Sequence, residues 1–184
     1  MSDYAGSYKF KSVSISKNTD STNITGLISE VNVFAYIEQP SATIMVSIKD
    51  SINFLNDYPI KGGQELEIEI DFDNEKRTWK VVIASIEDIS SSLNTKVYNL
   101  RCVSHSLFKS HYTTISQYFQ GKLSDIAKSI FEQYKNPTEK IRIWDESANS
   151  GSYVIPGWSP TQTIMWLASK SRAKNTDTRF KFFQ

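Results

Sequence analysis

Apolar residues recur at every second position in the first part of this chain and at helical spacing in the rest, and the change falls near His105. A two-residue period puts one set of side chains on one face of a strand, whereas apolar residues three and four positions apart line one face of a helix. The sequence therefore predicts an α+β protein in which a strand-rich part, residues 1–105, precedes a small α/β part, residues 106–184.

The strand-rich part contains about six alternating runs that are separated by turn residues. The opening run pairs Tyr8 with Phe10 and then Val13 with Ile15, which predicts a strand with a break in its register. The other runs cover residues 31–37, 42–48, 65–72, 79–83 and 97–103. Turn signals at this spacing are typical of a small barrel or a sandwich.

Two connections in this part carry local signals of their own. Asp50-Ser51 predicts a cap for a short helical turn through Phe54-Leu55. Asp73-Asn74-Glu75 has the residue types of a tight turn, and it predicts a hairpin that returns through residues 79–83.

The clearest strand, residues 65–72, follows Gly62-Gly63 and alternates strictly between apolar and acidic side chains. Its acidic face carries Glu65, Glu67, Glu69 and Asp71. Neighbours on one face of a strand lie roughly 6.5–7 Å apart, which is too far for adjacent carboxylates to cage one ion. A glycosidase pair is disfavoured as well, because equally solvated carboxylates have no cause for different pKa values. The row is therefore either a solvated outer face or an acidic surface lining a passage for another polyanion.

Two amphipathic helices are predicted after His105. Residues 122–134 place apolar side chains at positions 123, 126, 127, 130, 131 and 134, which form one wide stripe. The second helix begins at Ser159, where Ser-Pro-Thr-Gln combines an N-cap, a proline in the first turn and a capping box. Further predictions are short strands around Ile141 and Ile143, at 153–155 and at 178–183, and a polar loop at 146–152.

The sequence lacks the motifs of the common catalytic and phosphate-binding sites. Its single cysteine, Cys102, excludes an intrachain disulfide and a cysteine zinc cage. Cys102 and His105 are three positions apart, so on one strand they point to opposite faces. His105 and His111 lack the spacing of a zinc motif, and Gly62-Gly63 is a turn rather than a phosphate cradle. We therefore predict no enzyme activity, no catalytic residue, no cofactor and no metal site.

The two parts differ in charge. Residues 1–105 contain 10 Lys or Arg and 14 Asp or Glu, a balance of −4, whereas residues 106–184 contain 11 and 6, a balance of +5. Surface solubility explains this difference, and so does contact with different neighbours. No basic and apolar leader follows Met1, and no apolar run approaches the ~20 residues of a membrane helix, so we expect neither secretion nor a membrane span.

The segment YVIPGWSPTQTIMWLAS, residues 153–169, resembles the central baseplate hub of T-even-like contractile phages. In that family an apolar strand, a turn marked by Trp and Pro, and a helix lead to a Phe-rich strand, here RFKFFQ at 179–184. The helix LSDIAKSIF at 123–131 and the acidic strand after Gly62-Gly63 are also similar to it. The resemblance spans most of residues 10–184.

The resemblance implies a structural virion protein. Residues 1–105 would be an antiparallel β-barrel like that of tail tube proteins, and residues 106–184 a lobe that ends where a further barrel begins. Family members carry two such barrels in a longer chain, so a homotrimer presents six barrels to the hexameric tail tube.

Further expectations about partners follow from the same resemblance. The trimer would hold the central spike, contact other baseplate proteins and surround the channel through which DNA passes without specific binding. It would be assembled in the cytoplasm of the bacterial host. The acidic row Glu65, Glu67, Glu69 and Asp71 is then predicted to face the channel.

The residues alone leave a different class of function open, a stand-alone β-barrel binding module for carbohydrate or nucleic acid. Trp144, Trp158 and Trp166 are the side chains that could stack on a sugar or a base. Trp158, beside Gly157 at a helix entry, also fits a packing role.

Overall fold

A computed structural model describes residues 8–17, 20–36, 39–72, 75–92, 94–135, 137 and 146–174. The chain divides into two compact units. The described residues of Met1–Phe34 and Thr43–Ser104 form the first unit, and those of Ala35–Ala42 and His105–Gln184 form the second. Within these ranges the fold is α+β, with a seven-stranded antiparallel sheet, a two-stranded sheet and four α-helices, which confirms the predicted class.

The first unit holds the seven-stranded sheet. Its strands are β1 (Tyr8–Lys17), β2 (Asp20–Asn23), β3 (Ile28–Phe34), β4 (Thr43–Asp50), β5 (Glu65–Phe72), β6 (Glu75–Ser92) and β7 (Thr95–Val103). A 3-10 helix, Thr25–Leu27, separates β2 from β3, and the short helix α1, Phe54–Asp57, follows β4. The strands lie in the order β2-β1-β5-β6-β7-β4-β3, and every neighbouring pair is antiparallel.

The two edge strands of this sheet, β2 and β3, follow one another in the sequence. Asn23 ends β2 and Ile28 begins β3, and five residue steps reach at most roughly 18 Å. The edges of a flat seven-stranded sheet would lie roughly 28 Å apart, so the sheet must curl until its edges approach each other. No hydrogen-bonded ladder joins β2 to β3 within the described strands. The structure therefore shows a curled antiparallel sheet without the closed ring that the predicted barrel requires.

The buried face of this sheet carries the apolar half of each alternating run. Val13 and Ile15 of β1 and Leu66 and Ile68 of β5 are fully buried. The same cluster includes Val46, Ile48, Ile83, Tyr98 and Leu100. Burying one such aliphatic side chain contributes roughly 1.5–3 kcal/mol. The two-residue period thus decides which face of each strand turns inward.

β1 contains the register break that its sequence predicts. Its pairing with β5 shifts between Phe10 and Ser12, so Lys11 is the extra residue of a β-bulge. A one-residue insertion moves all later side chains of a strand to the other face. Val13 and Ile15 consequently enter the core beside β5.

The carboxylate of Asp50 organises the connection from β4 to β5. It is buried and accepts hydrogen bonds from the backbone N–H groups of Ile52, Phe54 and Leu55 at 3.2, 2.8 and 3.0 Å. This confirms the predicted cap. Burial raises the pKa of Asp50, but the three hydrogen bonds and the nearby charge of Lys96 outweigh burial, so the pKa lies below its ordinary value.

The second unit holds the two-stranded sheet. Its elements are α2 (His105–His111), β8 (Ile115–Lys122), α3 (Leu123–Tyr134), β9 (Ser150–Trp158) and α4 (Pro160–Lys170). β8 pairs with β9, and α3 packs against α4 and β8. The predicted stripe of α3 lies in this core, which includes Leu123, Ile126, Ala127, Ile130, Phe131 and Tyr134. The N–H of Gln162 donates to Oγ of Ser159 at 3.3 Å, which confirms the N-cap of α4.

Several details differ from the sequence predictions. The sequence does not predict β2, the 3-10 helix, α2 or β8. In β8, Phe119 is the one buried side chain, so that strand shows no clear alternation of apolar and polar residues. The predicted polar loop at 146–152 is wrong at its end, because β9 begins at Ser150, which pairs with Lys122. Some predictions fall outside the described residues. These are the predictions for Ile37, for the turn residues 73 and 74, for the strands near Ile141 and Ile143, and for the strand at 178–183. None of the described helices is long and apolar enough to cross a membrane.

Replacing Asp50 with Asn should destabilise the folded chain by roughly 1–3 kcal/mol at pH 7, because three N–H groups lose a charged acceptor. Since the pKa of Asp50 is lowered by folding, the unfolded chain binds the proton first. The contribution of the charge is therefore complete above the ordinary pKa of 3.8 and is lost as the pH falls below it.

Urea denaturation of the wild-type protein and of Asp50→Asn at pH 7 and pH 3 measures this contribution, and the difference between the two proteins should shrink at pH 3. Asp57→Asn is the matched control, because Asp57 is an exposed carboxylate of α1. An equal loss of stability in the control, or a difference for Asp50→Asn that is the same at both pH values, would contradict the prediction.

Candidate functional surface on β1, β5 and β6

The acidic row lies along β5, on the face opposite to the core. Glu65 is exposed, and Glu67, Glu69 and Asp71 are half-buried, while the apolar residues between them are buried. The structure therefore places all four carboxylates on one face of a single strand. Their orientation toward a channel stays a prediction.

Three lysines of the neighbouring strands lie against this row. Ion pairs join Lys76 to Glu69 at 2.8 Å, Lys80 to Glu67 at 3.6 Å and Lys11 to Asp71 at 3.4 Å. Two of these lysines belong to β6, and the third is the bulge residue of β1. We call the acidic row and its three lysines the charged face. The three lysines compensate much of the negative charge of the row.

β1 adds a row of hydroxyl groups beside the carboxylates. Ser12, Ser14 and Ser16 pair with Glu69, Glu67 and Glu65, respectively. Oγ of Ser12 donates to Oε2 of Glu69 at 3.2 Å. Glu69 therefore has a hydroxyl donor on one side and an ammonium donor on the other.

The pKa values of the charged face reflect these contacts. The hydrogen bond from Lys76 lowers the pKa of Glu69, with smaller contributions from the charge of Lys76 and from Ser12. The same hydrogen bond raises the pKa of Lys76. Both effects favour the ionised forms, so neither group is prepared to transfer a proton near neutral pH. The arrangement suits a polar contact surface rather than acid–base chemistry.

The predicted hairpin of β5 and β6 is a sequence signal that places two of these lysines, Lys76 and Lys80, beside the acidic row. The turn residues Asp73-Asn74-Glu75 predict that β5 and β6 form a hairpin, and in the observed register Asp71 faces Lys76 and Glu67 faces Lys80. Cross-strand pairs of opposite charge are the expected partners in such a ladder. The third lysine, Lys11, depends on a bulge and on a pairing between distant strands, so no local signal identifies it.

The structure also locates the residues that the sequence analysis considered for catalysis or metal binding. Cys102 is fully buried in the first unit, and burial raises the pKa of its thiol to about 12, so it is protonated and shielded. His105 and His111 are the first and last residues of α2. Among the described residues, no group of three or more His, Cys, Asp or Glu side chains is arranged to hold a metal ion.

Two of the described tryptophans, Trp158 and Trp166, form a packed cluster with Tyr153. The ring of Trp166 lies 5.3 Å from that of Tyr153 and 5.5 Å from that of Trp158, at interplanar angles of 87° and 73°. All three are half-buried and pack against the core of the second unit. Perpendicular rings cover one another's faces, so they do not form the flat platform on which a sugar or a base stacks. Trp144 lies outside the described residues.

Comparison with known proteins adds a likeness of fold. No family model and no curated protein matches the sequence. A tail protein from Neisseria meningitidis MC58 matches 88% of this chain and 44% of its own length, with a TM-score of 0.54 and 15% sequence identity. The 43 kDa tail protein of prophage MuSo2 from Shewanella oneidensis matches 89% of this chain and 48% of its own, with the same TM-score and identity. The chain shares the fold of these tail proteins and spans less than half the length of each.

Replacing Lys76 with Gln should raise the pKa of Glu69 toward its ordinary value, because the donor that holds the carboxylate ionised is lost. Carbon-13 NMR titration of the side-chain carboxyl measures this directly. Lys80→Gln is the matched control, since Lys80 pairs with Glu67 and not with Glu69. If Lys76→Gln leaves the Glu69 titration unchanged, the ion pair of the structure does not persist in solution.

Proposed function

We propose that this chain is a structural component of a phage tail, where it provides shape rather than catalysis. The likeness of fold to two tail proteins, over nearly nine-tenths of this chain, is the observation that carries the proposal. The chemistry of the described residues agrees with it. Three carboxylates of the charged face, Glu67, Glu69 and Asp71, are ion-paired, and the thiol of Cys102 is buried and protonated. These groups therefore offer neither a nucleophile nor an acid–base pair.

Within the tail, the chain would act as a baseplate hub that joins the hexameric tail tube to the trimeric central spike. Residues 1–105 would serve as the tube-like barrel, and residues 106–184 as a lobe that contacts other baseplate proteins in the virion. Three copies match a sixfold tube when each copy offers it two similar barrel shapes. The described residues contain one such sheet, in a chain that spans less than half of each similar tail protein.

Although the sheet is not closed by hydrogen bonds between the described strands β2 and β3, the link between these strands would let the curled sheet serve as a barrel-like unit. The N–H of Ile24 donates to the C=O of Val13 at 2.8 Å, and the N–H of Val13 donates to Oγ1 of Thr25 at 2.8 Å. The link is therefore hydrogen-bonded to β1, the neighbour of the edge strand β2. It continues into β3, the other edge strand, which pairs with β4. β2 and β3 would act as one interrupted strand that bridges the two edges and protects them from pairing with other sheets.

We place the charged face toward the DNA channel of such a hub. A bare row of four carboxylates would repel DNA strongly, but the three lysines reduce that repulsion. Binding stays disfavoured, because tight non-specific association needs several cations on the phosphates, and these three lysines are already ion-paired with carboxylates. DNA would then pass this wall without adhering to it.

Size-exclusion chromatography with light scattering tests the trimer. We expect a species of three times the 21.0 kDa chain mass at micromolar concentrations, because permanent interfaces of this kind bury roughly 2,000 Å² or more. Finding only monomer across that range would contradict the proposed hub.

DNA binding tests the role of the acidic row. The variant with Glu65→Gln, Glu67→Gln, Glu69→Gln and Asp71→Asn leaves the three lysines uncompensated, so it should gain weak binding to duplex DNA. Fluorescence anisotropy should show an affinity that falls with salt, with a logarithmic slope of about −2.7 for three phosphate contacts.

The control variant removes three carboxylates of the second unit, with Asp125→Asn, Glu132→Gln and Glu146→Gln, and should bind DNA as poorly as the wild type. Equal gains in both variants would show that overall charge, rather than the acidic row, keeps DNA away.

A further inference from the structure

The two-stranded sheet of the second unit has one covered face and one open face. On the covered face, Phe119 of β8 and Ile155 of β9 are buried in the core of the unit. Side chains at the alternate positions of each strand point the other way, and from Ser116 onward all of them are exposed. We call six of these residues the open face: Ser116, Tyr118, Gln120, Ser152, Val154 and Pro156.

Strand pairing fixes the arrangement of the open face. Its six residues form three directly opposed pairs, which are Ser116 with Pro156, Tyr118 with Val154, and Gln120 with Ser152. Opposed side chains of an antiparallel pair lie roughly 4.5–5.5 Å apart. The open face is therefore one continuous strip, and an aromatic ring and an aliphatic side chain lie at its centre.

The central pair leaves most of its surface open to solvent. Tyr118 is 55% exposed and Val154 is 71% exposed, so a large part of each side chain is available to a ligand. The hydroxyl of Tyr118 donates to Oε1 of Gln120 at 3.1 Å. Because Gln120 is two positions further along the same face of β8, this hydrogen bond leans the tyrosine ring along the strand. A ring that is held in this way needs little ordering when a ligand binds.

The chemistry of the open face is uncharged. Its polar groups besides Tyr118 are the hydroxyls of Ser116 and Ser152 and the amide of Gln120, which donate and accept hydrogen bonds. Lys122, the next residue on this side of β8, is ion-paired with Glu146 at 2.6 Å. Nucleic acids and anionic membranes are poor ligands for such a strip, because both are attracted mainly by unpaired cations.

The size of the open face decides between the remaining classes of ligand. Standard interfaces between folded proteins contain roughly 20–30 residues on each side, several times more than this strip offers. A narrow chain is the ligand that a strip of this size can hold. An unfolded peptide loses backbone freedom at each residue that becomes ordered, whereas the rings of a carbohydrate chain are rigid before they bind.

A neutral carbohydrate has the groups that complement the open face. The faces of a sugar ring carry C–H groups, which pack on aromatic and aliphatic side chains such as Tyr118 and Val154. The edges of the ring carry hydroxyl groups, which exchange hydrogen bonds with an amide such as Gln120 and with serine hydroxyls. Both kinds of contact are available within one sugar unit of the central pair.

We propose that the open face of β8 and β9 binds a neutral carbohydrate chain, with one sugar ring stacked on Tyr118. This binding site is independent of the proposed hub function, because it uses no contact between copies of the chain. We expect a Kd of roughly 1–10 mM, since a shallow strip encloses less of its ligand than a cleft does.

Nitrogen-15 NMR titration of the whole chain with two neutral β-linked oligosaccharides, cellopentaose and chitotetraose, tests the site. Addition of at least one of them should shift the amide signals of β8 and β9 and saturate in the millimolar range. The signals of the first unit should stay in place, because the open face lies entirely in the second unit.

Substitution of the ring tests its role. Tyr118→Ser should weaken binding by roughly tenfold or more, because the stacking surface is lost, whereas Tyr118→Phe keeps the ring and should retain most of the affinity. Tyr112→Ser is the matched control, since Tyr112 is 78% exposed in the same unit but lies outside the open face, and it should bind like the wild type. Dispersed amide spectra of all three variants would show that they are folded.

The outcomes separate this site from the hub function. No shift with either sugar, or shifts that lie outside β8 and β9, would overturn the inference and leave the hub function untouched. An equal loss of affinity in Tyr118→Ser and Tyr112→Ser would overturn it as well. A protein that binds sugar through Tyr118 but is monomeric in light scattering would support the site and contradict the hub.

Discussion

The first unit depends on one short connection, the four residues 24–27 that lead from β2 to β3. Because β2 and β3 are the two edges of a seven-stranded sheet, this link limits how far apart the edges can be, and the sheet has to curl. Curling gives the sheet a buried face for its apolar side chains and an outer face for its polar ones. Within this sheet, the bulge at Lys11 sets the core positions of β1 and brings Lys11 against Asp71.

Polar side chains fix the backbone of the connections and bulges that lie outside the hydrophobic core. Asp50 holds the connection after β4 through three backbone hydrogen bonds. Lys96 and Asn99 donate hydrogen bonds to Asn53 and Asp88, whose backbones have positive φ. On the outer face, the ladder of β5 and β6 sets lysines against carboxylates. The result is an outer face on which lysines compensate carboxylates.

Much of this could be predicted from local sequence. The alternation in residues 65–72, the stripe of α3, the cap at Asp50 and the start of α4 at Ser159 each depend on residues close in the chain, and the structure contains all four. The misses have a common physical cause. β8 has only one buried side chain, Phe119, and pairs with β9, which begins 28 residues after β8 ends, while the curl of the sheet depends on the order of distant strands. Neither property leaves a periodic signal in the sequence.

The central proposal is that this chain gives shape to the end of a phage tail. Electron cryomicroscopy of the tail particle that contains the chain tests it most directly. The account predicts three copies around the axis between the tube and the spike, each with its curled sheet near the channel. Density that places the chain away from the axis, or a number of copies other than three, would contradict it.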